Sequence, residues 1–265
     1  MTLANDHPES CFRGKAGFVN PRSALSIVLL LAFAQTPGKA QETSMVFVES
    51  PTLHATFVET PEDYDPEVHR TLVVGLHGFG SSAERFLGVA PPFTSAGMVF
   101  ASVRAPYAFV YEDGRMGWDW SLQHLPMEVP GEQATDLTVV YLTEVLSALR
   151  ARYQADRVFV LGFSQGGAFA YMSGIVNHTN IDGLIILGAR FSESWFPEGR
   201  LAEASHLPVF ISHGDAESAG TIAAGERARD VLTGLGYEVR YRPFPGGHII
   251  SPEVIADVVA WIDGG

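Results

Sequence analysis

The chain has a single cysteine, Cys11, and it lies in a leader-like segment, so a mature chain starting near Gln41 forms no disulfide and carries no thiol chemistry. Nor does Cys11 follow an apolar run, as a lipid-anchored cysteine would. Basic residues are also scarce: 17 Lys and Arg stand against 30 Asp and Glu, a formal net charge of -13. A surface of that sign repels nucleic acid and anionic membrane, and no nucleic-acid partner is expected. The longest apolar run, Ser23 to Ala34, is too short for the roughly 20 residues that span a bilayer. Internal repeats, low-complexity tracts and histidines at metal-ligand spacing are missing as well, and His54, His69, His124, His178 and His206 read as ordinary surface or core residues. No metal and no cofactor are expected.

What is present falls into two parts. Arg13, Lys15 and Arg22 precede the short apolar run, and TPGKAQ follows it, with Gly38 and Ala40 as the small residues a signal peptidase selects. The expectation is a secretory signal over residues 1–40 and a catalytic domain over 41–265, exported to the periplasm or the outside and without stable membrane insertion once cut. The leader holds four basic and two acidic residues, so its removal takes the net charge from -13 to -15.

Beyond it, short apolar segments alternate with longer amphipathic ones, the pattern of a mostly parallel sheet with helices on both faces. Strands are expected near Met45 to Glu49, His54 to Glu59, Thr71 to Leu76, Met98 to Val103, Arg157 to Phe163, Asp182 to Leu187, Pro208 to Ser212 and Tyr237 to Phe244, the first two antiparallel across PTLH. Helices are expected over Glu132 to Tyr153, where Leu137, Val140, Tyr141, Val145, Ala148 and Leu149 follow helical spacing, and over Glu226 to Leu235 and Pro252 to Ile262. Two long connections, Arg104 to Gly131 and Ala189 to Leu207, are rich in aromatics and read as pocket walls, with Tyr107, Trp118, Phe191 and Trp195 as candidate substrate contacts.

The chemistry centres on Gly162-Phe163-Ser164-Gln165-Gly166, a G-x-S-x-G pattern after the β-rich run RVFVLGF and before the helical AFAYMSGIV. A serine on such a strand-to-helix turn projects its hydroxyl out of the fold, but it needs a base to take its proton and an acid to hold the base. His248, in the Gly-rich loop FPGGHIISPEV before the last helix, is the expected base. His77 and His213, each at a strand end before glycine, read as loop braces. Two acids, Asp215 and Glu217, follow the strand PVFIS, so either gives the chain order Ser, acid, His of the α/β-hydrolases. The backbone N–H groups of Phe79, in LHGFG, and of Gln165, beside the serine, are the expected donors to a developing oxyanion.

LHGFG, RAPY...GRMGWDW, GFSQGGA, SHGD and GGH together resemble the carboxylesterase, lysophospholipase and acyl-protein thioesterase branch of the α/β-hydrolases, from about Thr71 to the C-terminus. The resemblance implies an α/β-hydrolase fold with little or no separate lid domain, acting on ester or thioester bonds without a cofactor, and a small-molecule ester is the expected substrate. It also implies an acid four residues after the histidine of the HG turn, which here is Glu217 in place of the usual Asp. Residue type favours Asp215 and position favours Glu217; Glu217 is the expected acid and Asp215 the alternative. The function that follows is hydrolysis of carboxylic esters through an acyl-enzyme. A lysophospholipase or lipase acting on longer acyl chains, and a catalytically silent binding protein of the same fold, are the rivals.

Overall fold

The computed structural model describes residues 53–125 and 131–264. The expected signal segment and the expected strand Met45 to Glu49 lie outside the described residues. In chain order the strands are β1 (Thr56–Glu59), β2 (Leu72–Leu76), β3 (Val99–Val103), β4 (Tyr107–Val110), β5 (Met116–Asp119), β6 (Val158–Phe163), β7 (Gly183–Leu187), β8 (Val209–Ser212) and β9 (Val239–Tyr241). The helices are α1 (Ala83–Phe86), α2 (Pro91–Ser95), α3 (Gly131–Arg152), α4 (Gln165–Val176), α5 (Arg200–Glu203), α6 (Ala219–Gly234) and α7 (Pro252–Asp263).

Seven strands form one sheet in the order β1-β3-β2-β6-β7-β8-β9. Only β1 runs antiparallel, against β3, and every other neighbour pair is parallel. The strands sort their side chains between two cores by simple alternation. Val74, Val160, Ile186 and Ile211 face one, with Leu142 and Leu146 of α3, Phe169 of α4 and Leu232 of α6. Val73, Leu161, Ile185 and Phe210 face the other, with Phe86 of α1, Phe93 of α2 and Val258 of α7. Parallel strands buried on both faces read as unbroken apolar runs, which is why TLVVGL and RVFVLGF stand out in the sequence.

The strand order reverses between β2 and β6: the chain first builds outward through β3, then returns past β2 to lay down β6, β7, β8 and β9. Ligands of open α/β sheets bind at such a switch point, outside the carboxyl ends of the strands. The two loops that leave β2 and β6 at this point are LHGFG and GFSQG.

Three features differ from the sequence expectation. The connection after Arg104 contains a hairpin, β4 paired antiparallel with β5. Helix α6 begins at Ala219 rather than Glu226, capped by the Ser218 side chain, which accepts from the Thr221 N–H. In α3 the buried residues are Ala134, Thr138, Leu142, Leu146 and Leu149, while Leu137 and Val140 are exposed. Thr138 tolerates burial because its hydroxyl donates to the carbonyls of Trp120 at 2.8 Å and Ala134 at 2.9 Å.

Candidate active site

Ser164 follows β6 directly and is the N-cap of α4, with φ 57° and ψ -119°, a conformation rare for any residue but glycine. Holding it costs on the order of 1–3 kcal/mol. The surroundings enforce it: the Ser164 N–H donates to the Leu187 carbonyl at 2.9 Å, and the amides of Gly167 and Ala168 donate back to the Ser164 carbonyl. The glycines on either side are a packing necessity. A Cβ on Gly162 would strike the carbonyl of Gly166, and a Cβ on Gly166 would strike the carbonyl of Leu76, so only glycine lets α4 start this close to the ends of β6 and β2.

His248 reaches over the strand ends from the loop between β9 and α7. Its Nε2 lies 2.9 Å from Ser164 Oγ, and its Nδ1 lies 2.8 Å from Glu217 Oε2. A carboxylate oxygen accepts, so Nδ1 carries the proton and Nε2 is left to accept from the serine hydroxyl. Phe163 stacks on the imidazole at 4.8 Å between ring centres. The Glu217 side chain is only 2% exposed, against 45% for His248, and its second oxygen accepts from the Gly214 N–H at 3.0 Å. Asp215 points elsewhere: its Oδ1 accepts from the Gly246 N–H at 3.0 Å, and its own N–H donates to the Phe244 carbonyl. That carboxylate ties the β8 turn to the loop that carries His248.

The other two strand-end histidines are buried. His77 donates from Nδ1 to the Gly78 carbonyl at 2.9 Å and accepts at Nε2 from the Ala105 N–H at 3.2 Å. Burial is the main reason its pKa falls to about 4, so it is a neutral brace under LHGFG. His213 lies with its Nδ1 3.8 Å from Glu217 Oε1, and burial lowers its pKa too, against the opposing pull of Glu217.

The proposed oxyanion donors sit on the two switch-point loops. The Gly80 and Ser81 amides are taken, by the carbonyls of Trp118 and Gly78, whereas the Phe79 and Gln165 amides have no recorded partner among the described residues. Gly78 separates the two loops: a Cβ there would lie 3.4 Å from that of Ser164.

One residue at the site escapes the sequence reading. Asp119, at the end of β5 and fully buried, accepts from Gln165 Nε2 at 2.6 Å, the Ser121 N–H at 2.9 Å, and both the N–H and the Nδ1 of His124 at 3.0 Å. Burial works to raise its pKa, yet those hydrogen bonds outweigh it and hold the carboxyl below its ordinary value. The only sequence signal was an acid set between two tryptophan-bearing steps, GWDW, in a loop read for its aromatics.

The candidate substrate contacts separate. Trp195 lines a cavity of about 630 Å³ together with Ser164, Gln165, Arg190 and His248. Phe191 is 6% exposed and packs edge-on to Tyr171 at 5.1 Å, so it belongs to the core. Trp118 stacks with Arg104 at 4.5 Å in a neighbouring cleft, and the Tyr107 hydroxyl donates to the Ala134 carbonyl of α3 at 3.3 Å. Trp120, which the same loop supplies, is fully buried, its Nε1 donating to the His77 carbonyl. Aromatic content alone does not tell a pocket wall from a loop's own small core. A second cavity, about 310 Å³, opens on the other side of Phe79, between Ser164, His248, Arg85 and Ile250.

A doubly wound sheet with a serine on a strained elbow at its switch point defines a protein of the α/β-hydrolase class. Residues 54–264 match the phospholipase/carboxylesterase family, and the chain belongs to that family. It is 30% identical over 228 residues to a probable carboxylesterase of Oryza sativa subsp. japonica, covering 79% of this chain and 83% of that relative. It is 27% identical over 208 residues to the carboxylesterase SOBER1 of Arabidopsis thaliana, covering 73% and 90%. The solved structure of SOBER1 superposes with a TM-score of 0.60 at 26% identity over 74% of this chain and 98% of that one. The esterase PE8 shares the fold, with a TM-score of 0.67 at 23% identity over 80% and 99%. The chain is thus a hydrolase of the carboxylesterase type.

Proposed function

We propose that the chain hydrolyses carboxylic esters through an acyl-enzyme on Ser164, and the observation that carries this reading is the unbroken relay from Ser164 Oγ through His248 to Glu217. Ser164 Oγ attacks the ester carbonyl carbon while His248 Nε2 takes its proton. The Phe79 and Gln165 N–H groups hold the oxyanion, and Glu217 keeps the imidazole in the Nδ1–H tautomer and stabilises the cation that forms. Collapse of the tetrahedral species breaks the C–O bond, and the His248 proton leaves with the alcohol. Water then repeats the sequence on the acyl-enzyme, releasing the acid and restoring Ser164. Asp215 has the role of a loop clasp, since its carboxylate is already bound to Gly246.

A fluorophosphonate probe tests the assignment directly. It should label the wild-type chain at Ser164 and fail to label Ser164→Ala or, at comparable rates, His248→Ala. Labelling at another residue refutes the nucleophile. The short apolar run Ser23 to Ala34 followed by TPGKAQ supports export of the enzyme, which favours diffusible or cell-envelope esters over intracellular acyl-protein thioesters.

A further inference from the structure

The described arginines of this acidic protein are almost all occupied. Among the described residues eight form ion pairs with carboxylates. Arg152, Arg157 and Arg240 lie over the rings of Tyr153, Phe159 and Phe210. Of the described arginines, Arg85 and Arg190 alone have neither kind of partner, and they stand in the two cavities that flank Ser164 and His248, Arg85 in the smaller and Arg190 in the larger. No acid lines the smaller cavity. The one acid lining the larger is Glu217, whose oxygens already accept from His248 and Gly214. A chain of net charge -13 thus places unpaired cations, and no unpaired carboxylate, on either side of its serine.

We infer that the esters this enzyme prefers carry an anionic group, a carboxylate or a phosphate, and that Arg190 and Arg85 determine that preference. The inference rests on the reading of Ser164 as the nucleophile. A guanidinium is weakly hydrated and offers a planar fork of donors that matches carboxylate and phosphate oxygens two at a time. In the larger cavity Gln123, Ser218 and Thr221 add polar side chains beside Arg190, while Phe79, Ala168 and Trp195 add apolar wall, so the lining offers partners for a charged group together with cover for the rest of the ester. The surrounding negative surface makes the local cations necessary: without them an anionic substrate meets only repulsion on its way to Ser164.

Two matched substrate pairs test this, each differing only in the charged group. One pair is p-nitrophenyl valerate and p-nitrophenyl hemiglutarate, which places a carboxylate on the acyl side. The other is a 1-acylglycerol and its 3-phosphate with the same acyl chain, which places a phosphate on the alcohol side. The wild-type enzyme should favour the charged member of at least one pair. Arg190→Gln, Arg85→Gln or both should lower kcat/KM for that member about tenfold, the scale of one charge-assisted hydrogen bond, while the neutral member changes less than about twofold. A charged-to-neutral ratio that is the same in all three enzymes overturns the inference and leaves the esterase reading standing. Failure of the wild-type enzyme to cleave any of the four esters overturns both.

Discussion

Asp119 and Gln165 are joined by a 2.6 Å hydrogen bond that ties the β4–β5 hairpin to the residue after Ser164. The same carboxylate holds His124, whose ring stacks on Phe109 at 4.7 Å, and Phe109 stacks on Phe79 at 5.3 Å. Both proposed oxyanion donors therefore connect to one buried acid, Gln165 directly and Phe79 through two rings. Asp119→Asn keeps the shape but cannot accept at every oxygen, so the Gln165 side chain loosens and its backbone N–H loses its aim. Outright loss of an oxyanion donor costs about 100- to 1,000-fold in kcat. Misalignment should cost about tenfold in kcat with KM nearly unchanged. An equal fall in folded fraction and in activity, with kcat per folded molecule unaltered, would reduce Asp119 to a structural role.

Gly188 follows β7 with φ 57°, and a Cβ there would lie 3.0 Å from His248 Cε1 and 3.3 Å from Glu217 Oε1. Gly188→Ala therefore combines a left-handed backbone penalty of about 1 kcal/mol with pressure on the imidazole and its acid. The expected outcome is a loss of about tenfold or more in kcat together with a small fall in melting temperature. Unchanged kcat in this variant would mean that the His248–Glu217 pair has more room than the structure gives it.

The sheet is legible in the sequence because parallel strands buried on both faces leave apolar runs, and TLVVGL, RVFVLGF, GLIIL and PVFIS are such runs. Ser164 and His248 stand out for a related reason: glycines mark the places where backbone approaches backbone at the strand ends. The hairpin β4–β5 does not stand out. Its strands are four residues each, and Val110 and Met116 at its tip are exposed, so neither length nor burial produces a pattern. The clamp from Asp119 to Gln165 is a contact between residues far apart in the chain, which no local spacing encodes. The start of α6, AGTIAAG, falls outside the expected helix because its small residues carry no amphipathic signal.

The choice between the two acids after β8 is decided by which variant loses turnover. Glu217→Gln keeps the volume but removes the acceptor that fixes the His248 tautomer, and turnover should fall on the order of ten-thousandfold. Asp215→Asn removes the charge of the clasp but keeps an oxygen that accepts from the Gly246 N–H, costing at most about 1 kcal/mol of stability with kcat within a fewfold. Kinetics of the two purified variants at a temperature where both remain folded checks this, and a crippled Asp215→Asn beside an active Glu217→Gln would reverse the assignment.

Export is checked at the N-terminus. Mass spectrometry of protein recovered from outside the cytoplasm should find a chain beginning at or near Gln41, after the Gly38-Lys39-Ala40 stretch. Recovery of the chain only from the cytoplasm, with residues 1–40 intact, contradicts export.

His77 gives the fold a predictable sensitivity to acid. Its ring is buried and its pKa is depressed to about 4, from the 6.5 it has in an unfolded chain. Between those two values the unfolded chain binds a proton that the folded one refuses, so protonation pulls toward unfolding. The stabilisation is fully present above pH 6.5 and is lost as pH falls toward 4, a total of about 3 kcal/mol by linkage. His213, lowered in the same direction by burial, adds to the slope. Denaturant midpoints measured at pH 7, 6, 5 and 4.5 should therefore fall steadily, and His77→Gln, though less stable at pH 7, should show a shallower fall. Parallel slopes for the variant and the wild type would show that His77 is not the group that senses the acid.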